Sequence, residues 1–483
     1  MPEATENTMK EDVVIVGGGV GGLAAALAFG RTGHKVTVLE RDPLPATADA
    51  EEAFAAERRG APQVHQTHGF LARIVVLLRE HFPDVLEDLR AVGCTTMPAR
   101  ADLGEPRPGD EDLAVLIVRR TTFEWVLRQA VLREPRVEVR TDATVAGLTS
   151  SLPDWSDVPV VDGVRLADGT ELPAGIVIAA TGRRGDVPGW LGACGVDVPE
   201  KISESGLMYM SRWYRLARTF DIEELDAKLG GDLGFVKFLG VPGDGGTLSV
   251  TLAIRSDDAD LRAALGDPDR FDQACRALPG PDQFFQHGPL EPLGGVRPMG
   301  GLLNRVRTFT DETGAPTVLG FHAIGDAHTC TNPLYGRGCS LAFLQAVLVA
   351  QAASAHPGDH VARATAYEAA SKREVEPWFE VSVQMDKAGA DPAGFAGAAG
   401  GDGEGAKGMA ALFVAAETDP VIGRGIARFF NLLATPADLM ADAELLTRMA
   451  EVMANPDAYP IPKQEGPSRR ELLETLAAIP GAA

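Results

Sequence analysis

The chain has 483 residues, 45% of them hydrophobic, and a formal net charge of −23 at pH 7, which is enough chain for two or three domains and a large core. That charge argues against nucleic acid and anionic membranes as partners. Five cysteines without a CxxC pair, and nine scattered histidines without an H-E-x-x-H pattern, predict reduced thiols, a cytoplasmic location and no metal centre.

Residues 1–10 are polar. The stretch VVIVGGGVGGLAAALAFGRTGHKVTVLERD follows at 13–42. Its first four residues form an all-apolar run, as a buried parallel strand requires. Gly17, Gly19 and Gly22 stand at G-x-G-x-x-G spacing. In that pattern the first glycine permits a tight turn, the second lets backbone approach a pyrophosphate, and the third lets helix and strand pack closely. An Ala-rich helix follows, so its N-terminal N–H groups would point at phosphates. A second strand at 35–39 ends in Glu40, about 20 residues on, where an acceptor for a ribose diol belongs. The combination predicts a bound dinucleotide. Five glycines break the apolar run, which excludes a membrane span there. No basic start with a cleavage site is present, so no signal peptide is expected.

Residues 42–61 are rich in Ala, Glu and Arg and carry no clear strand. The pattern then predicts one or two helices over 69–92 with a break near Pro83, a strand at 113–118, a helix at 121–133 and a strand at 137–148. Segments 160–166 and 171–180 form a hairpin around Ala167-Asp168-Gly169. Short strand-like runs at 207–216, 234–241 and 248–254 predict an inserted, mostly antiparallel sheet between 205 and 318, with a helix at 258–265. A buried strand returns at 317–323 and a long helix occupies 337–355. Beyond 359 the pattern is helical, apart from a low-complexity loop at 389–408.

A second informative stretch is VLGFHAIGDAHTCTNPLYGRGCSLAF at 318–343. A strand ends at Ile324, the Gly325-Asp326 pair follows, and a Pro/Gly loop leads to a helix starting near Gly338. Asp326 offers an acceptor for a polyol. The helix start offers free N–H groups and a positive dipole end for an anionic ring oxygen. A flavin needs both.

Gly17 to Gly22, Glu40, the Gly325-Asp326 pair and the loop from Asn332 to Gly338 together resemble the flavoprotein monooxygenases of the p-hydroxybenzoate hydroxylase fold. The segment ERRGAPQVHQTHGFL resembles an R-x-G-x-P-Q…H element. RRTTFEWVLRQAV is similar to an R-x-x-φ-E-x-x-L-R element (φ apolar). Both elements occur in natural-product flavin oxygenases and epoxidases related to squalene epoxidase and styrene monooxygenase. The resemblance implies an α/β fold. Residues 11–200 and 318–356 would form a Rossmann-type FAD-binding domain of the glutathione reductase kind, 201–317 an inserted β-sheet substrate domain, and 357–483 a helical region. It also implies cofactor contacts. Arg58 and Gln63 would lie near FAD, Arg120 would contact it, Val145 would meet adenine through its backbone, and Arg41 would reach the adenosine side. Pro333, Gly336 and Gly338 would join Gly325 and Asp326 around the flavin. Two departures stand out: Gln66 where the family often has histidine, and Arg337 where glutamine is usual.

The implied chemistry is transfer of one oxygen atom from O₂, through a C4a-hydroperoxide of reduced FAD, to a small-molecule substrate that is a bulky apolar natural product, by epoxidation or hydroxylation. Such chemistry needs no protein nucleophile, so no catalytic residue is assigned. His68, His322 and His328 are titratable groups near the motifs, Cys330 and Cys339 flank the flavin loop, and Tyr335 or Arg337 would face flavin or substrate. Where the single-component hydroxylases carry an Asp-Gly signature for NADPH, the chain has Thr181-Gly182 in IVIAATGRRGDVPGWL. The expectation is therefore indirect use of NAD(P)H, through a partner flavin reductase. Met208, Tyr209, Met210, Trp213, Tyr214, Phe235 and Phe238 are expected to supply core and some pocket lining. Three alternatives share the motifs. A halogenase would resemble its family in a W-x-W-x-I-P segment and an active-site lysine, but no tryptophans are spaced W-x-W and no lysine occurs between Lys35 and Lys201. A prenyl- or polyene-chain reductase similar to geranylgeranyl reductase needs no oxygen. A non-catalytic flavin binder is the third.

Overall fold

The computed structural model describes residues 10–99, 103–217, 229–286, 288–389, 404–460 and 465–479. Residues 1–9 and most of the low-complexity segment at 389–408 lie outside them. The first layer is a five-stranded parallel sheet in the order Phe321–Ala323, Ile176–Ala179, Val13–Val16, Val36–Leu39, Val137–Arg140. Val13–Val16 is buried at every position because neighbours flank it on both edges and helices cover it. Helix Val20–Arg31 packs along Gly338–Ala355, which in turn packs on His360–Glu374. Gly338–Ala355 is long and apolar enough to cross a membrane, but most of it is buried inside the protein.

Two strand expectations need correction. The run 137–148 is two strands in different sheets, Val137–Arg140 and Val145–Ser151. Between them Asp142 adopts φ +53° and the Ala143 N–H donates to the Glu40 carbonyl, so the chain turns out of the parallel sheet. The run 171–180 also divides. Glu171–Pro173 completes the hairpin with Val160–Leu166, whereas Ile176–Ala179 joins the parallel sheet. The Gly175 N–H is bonded to the Asp12 carbonyl at this crossover.

The second layer is an antiparallel sheet in the order Gly230–Asp232, Val236–Gly243, Thr247–Arg255, Leu207–Leu216, Leu290–Pro292, with Arg297–Met299 also paired to Leu207–Leu216. Its outer face buries Met208, Met210, Tyr214, Phe238, Val250, Leu252 and Ile254. Helices Ala259–Leu265, Pro268–Ala277 and Pro281–Gln286 cover that face. Leu472 and Leu476 of the distant helix Arg469–Ala477 join the same cluster. The opposite face looks toward the parallel sheet. A small sheet of Glu200–Glu204, Leu303–Arg307 and Thr329–Cys330 lies between the layers in sequence.

A buried ion pair joins the layers. Arg119, 1% exposed, precedes helix Arg120–Arg133; Asp244, 3% exposed, starts the turn after Val236–Gly243. The Arg119 backbone N–H donates to Asp244 Oδ1 at 2.7 Å and Nη2 donates to Oδ2 at 2.7 Å; the Thr122 hydroxyl adds a third donor at 2.9 Å. Arg119 Nη2 also reaches Glu51 at 2.6 Å, and the guanidinium lies over Phe54. Removing the carboxylate would leave the buried guanidinium only the half-exposed Glu51 as a carboxylate partner. Asp244→Ala is therefore expected to lower unfolding free energy by about 3–5 kcal/mol in urea titrations, whereas substitution of an exposed acid such as Asp197 should change it little.

Candidate cofactor and substrate cavity

A cavity of about 700 Å³ lies at the carboxyl ends of the parallel strands, under the antiparallel sheet. One end is built by the first strand–helix turn. Gly17 has φ +112°, and a Cβ there would overlap the Ala180 carbonyl oxygen. A Cβ on Gly22 would overlap the Gly17 carbonyl oxygen, so Gly22 supplies close packing and does not line the cavity. At Gly19 a Cβ would meet nothing within 4 Å and would project into open space. Glu40 ends the second strand. Its Oε2 accepts the Gly18 N–H at 2.8 Å and its Oε1 the Asp42 N–H at 2.9 Å.

Arg58 holds this acidic corner together. It lies 3.2 Å from Asp42 and 3.4 Å from Glu40, and it pairs with Glu124. Arg120 also pairs with Glu124 at 3.2 Å, and its Nη1 donates to Cys339 Sγ at 3.0 Å. Burial alone would raise the Glu124 carboxyl, but Arg58 and Arg120 outweigh it and hold the group below the usual carboxylate range. Arg41, Gln63 and Val145 line the same end, with Ala143 and Thr144.

At the other end the lining includes Gly325, Asp326, Pro333, Gly336, Gly338, Cys330 and Cys339. The Gly325 N–H donates to Gln345 Oε1 at 2.8 Å, and Arg305 donates to the Asp326 carbonyl at 3.0 Å. These contacts fix the loop while its Asp326 carboxyl faces the cavity wall near the start of helix Gly338–Ala355. Burial raises the Asp326 carboxyl above its ordinary range, against the pull of Arg183, Arg120 and Arg305. His68 also lines the cavity. Its Nδ1 lies 2.9 Å from the Gln66 carbonyl, and burial with Arg120 nearby pushes its pKa down to about 3, so the ring is neutral.

The structure thus brings Gly17, Gly19, Glu40, Arg41, Arg58, Gln63, Arg120, Val145, Gly325, Asp326, Pro333, Gly336 and Gly338 to one cavity. Other expectations are corrected. His322 and His328 are buried outside the cavity lining, His322 against Tyr367. Arg337 is buried between Tyr335 and Trp378 and donates to the Ser382 hydroxyl at 2.8 Å. The Tyr335 hydroxyl donates to Asp386 at 2.6 Å. Both residues brace the loop against helix Pro377–Gly389 and are absent from the cavity lining. Of the aromatic and methionine residues expected to share core and pocket roles, Tyr209 reaches the cavity; Met208, Met210, Tyr214 and Phe238 point to the opposite face. Sequence reasoning missed Arg183, Arg184, Trp190, Pro298, Met299 and Gly300 as lining residues. The Arg-Arg pair after Thr181-Gly182 was the available signal for two of them; 298–300 carry no motif.

A family model described as FAD dependent oxidoreductase matches residues 12–92. No curated protein matches the chain. Among solved structures, p-nitrophenol 4-monooxygenase PnpA from Pseudomonas putida DLL-E4 aligns with TM-score 0.61 at 19% identity, covering 88% of this chain and 99% of that one. PqsL, a probable FAD-dependent monooxygenase from Pseudomonas aeruginosa, aligns with TM-score 0.58 at 17% identity, covering 80% and 99%. The flavin-dependent brominase Bmp2 aligns with TM-score 0.62 at 16% identity, covering 93% and 100%. The chain therefore has the fold of these proteins: a Rossmann-like parallel-sheet domain carrying antiparallel sheets and a helical C-terminal region.

The cavity fits FAD on its own features. Gly19 leaves room for a pyrophosphate, Glu40 is anchored where a ribose acceptor is needed, and Asp326 offers an acceptor at the far end. The Thr181 and Thr331 hydroxyls are buried in the wall without a protein partner. Gly19→Trp is expected to abolish FAD binding, measured by flavin fluorescence quenching, with an unchanged far-ultraviolet spectrum. Asp326→Ala should weaken binding by about 1–3 kcal/mol. In the flavin-free protein Asp326→Asn should act in the opposite sense on stability. A carboxyl raised by folding costs stability once pH exceeds its unfolded pKa. The Asn variant should therefore unfold at a higher temperature at pH 7, and the gain should vanish as pH falls below the ordinary carboxylate range.

Proposed function

We propose that this chain is an FAD-dependent monooxygenase that adds one oxygen atom to an apolar organic molecule. The observation that carries this reading is the single cavity that runs from Gly17, Gly19 and Glu40 past Gly325 and Asp326 to Tyr209, Pro298, Met299 and Gly300 under the antiparallel sheet. It joins a dinucleotide grip, a polyol and ring grip and a space lined by Tyr209, Pro298 and Met299 on one side and by Gln66 and Thr67 on the other. Bound FAD would supply the redox chemistry, including activation of dioxygen once reduced. The chain's residues would hold and shield it: Gly17, Gly19 and Glu40 the ADP side, Asp326 the ribityl side, and the N-terminus of Gly338–Ala355 the ring oxygen. Tyr209 is fixed by donating its hydroxyl to Asn332 at 2.6 Å, so its ring presents a rigid wall.

One feature favours the monooxygenase reading over a halogenase. Among the described residues that line the cavity there is no lysine, whereas the halogenase family is expected to place one at its site. We further infer a type similar to styrene monooxygenase, with reduced flavin delivered by a partner reductase, because Thr181 and Gly182 stand at the cavity where an Asp-Gly pair would help seat NADPH.

The holoprotein supplied with a flavin reductase and a panel of alkenes and arenes should consume O₂ and yield products carrying one oxygen atom from it. Anaerobic saturation of a polyene, or products that require added halide, would replace the proposal with a reductase or a halogenase. In anaerobic stopped-flow with substrate present, NADH or NADPH alone should bleach the flavin orders of magnitude more slowly than with reductase added, because hydride transfer needs the donor carbon held about 3–3.5 Å from its acceptor. Fast bleaching without the reductase would refute the two-component inference alone.

A further inference from the structure

His328 stands two residues beyond Asp326, and it faces away from the cavity toward the C-terminal helices. Its side chain is fully buried. Glu368 of helix His360–Glu374 is 9% exposed, and Glu376 follows in the link to helix Pro377–Gly389. One nitrogen of His328 and one oxygen from each carboxylate all lie within 4.8 Å of one another, and His328 Nε2 is 3.6 Å from Glu368 Oε2.

The polar accounting here is unbalanced. His328 Nδ1 is 2.8 Å from the Thr329 hydroxyl. Nε2 is buried with no hydrogen-bond partner and lies on the side of Glu368, 3.6 Å from its Oε2. Among the described residues, no Lys or Arg lies within salt-bridge distance of Glu368 or Glu376; Lys372 and Lys201 act on Glu376 only at longer range. Buried polar atoms without partners, and buried carboxylates without cations, are costly. With Nδ1–H donated to Thr329, Nε2 presents a lone pair toward the carboxylates, an arrangement that a proton or a metal cation between them would relieve. Metal-binding histidines commonly have this arrangement, with the non-ligating N–H donated to a neighbouring acceptor.

We propose that His328, Glu368 and Glu376 form a binding site for one divalent cation of the zinc class, coordinated by one imidazole nitrogen and two carboxylate oxygens. One nitrogen and two oxygens suit Zn²⁺. At zinc–ligand distances of about 2.1 Å, tetrahedral ligand atoms stand about 3.4 Å apart. The three atoms therefore need to draw together only modestly, and a water completes the set. Glu376, half-buried, gives the ion a route from solvent. The ion would tie the flavin loop to the C-terminal helices, since the His328 N–H donates to the Gly325 carbonyl at 2.8 Å and the His328 carbonyl accepts from Arg307 at 3.0 Å. The sequence conceals such a site because its ligands come from a loop, a helix and an interhelical link.

The test uses chelator-treated holoprotein and Zn²⁺ as the probe. Isothermal titration should give one saturable site per chain, and Zn²⁺ should raise the melting temperature. Glu376→Gln, at a half-buried position that should fold, and His328→Asn should each weaken that site by about 10-fold or more and remove the thermal shift. Absence of a saturable site, or undiminished zinc affinity in Glu376→Gln, overturns the proposal. The readouts do not involve turnover, so this outcome and that of the oxygenase reading are independent.

Discussion

The Arg119–Asp244 pair sets how the two layers of this protein meet. Its carboxylate takes donors from the backbone, guanidinium and hydroxyl groups of one helix start, so the antiparallel sheet is held at a defined height above the parallel one. The next residue, Arg120, turns to the cavity and pairs with Glu124 one helical turn on. Two consecutive arginines thus divide the work: one secures the roof, the other lines the chamber beneath it. A buried pair of this kind adds little net stability over an apolar contact, but it defines one geometry, because any displacement leaves a buried charge unpaired.

Charge is distributed unevenly around that chamber. The chain is strongly acidic overall, yet Arg41, Arg58, Arg120, Arg183 and Arg184 all line the cavity. A local cluster of guanidinium groups suits an anionic dinucleotide in an otherwise repulsive molecule. Arg58 and Arg120 are also tied to Glu40, Asp42 and Glu124. Those ties hold them in place before any ligand arrives, and so reduce the ordering cost of binding.

The antiparallel sheet separates packing from recognition by strand alternation. Along Leu207–Leu216, Met208, Met210 and Tyr214 join the outer core, while Tyr209 and Ser211 face inward. Inward positions on this strand and its neighbour are hydroxyl-rich: Ser211 bonds both Gln66 and Thr251, and Thr251 bonds Thr67. Gln66 and Thr67 line the cavity beside Tyr209 and Met299, so the substrate space has an apolar wall and a polar seam.

The parts legible in the sequence are those whose chemistry is local. The Gly17–Gly22 turn, the strand ending at Glu40, and the Gly325-Asp326 step before helix Gly338–Ala355 each depend on backbone conformation within a few residues. Glycine spacing and apolar runs therefore revealed them, and with them the parallel sheet. Where the strands at 137–148 and 171–180 divide was not legible, because continuous β propensity does not record which sheet a residue joins; the turn at Asp142 and the crossover at Gly175 decide that through contacts with Glu40 and Asp12. Tertiary structure alone also decided the fate of individual side chains. Alternation decided which of the residues expected to be mostly core would line the pocket, and it turned Tyr209 inward and Tyr214 and Phe238 to the outer core. Arg337 and Tyr335 turned from the flavin loop toward Ser382 and Asp386, residues of a helix some fifty positions away. The joining of Arg119 to Asp244, and of His328 to Glu368 and Glu376, depends on pairing across long loops, and such contacts leave no periodic trace along the chain.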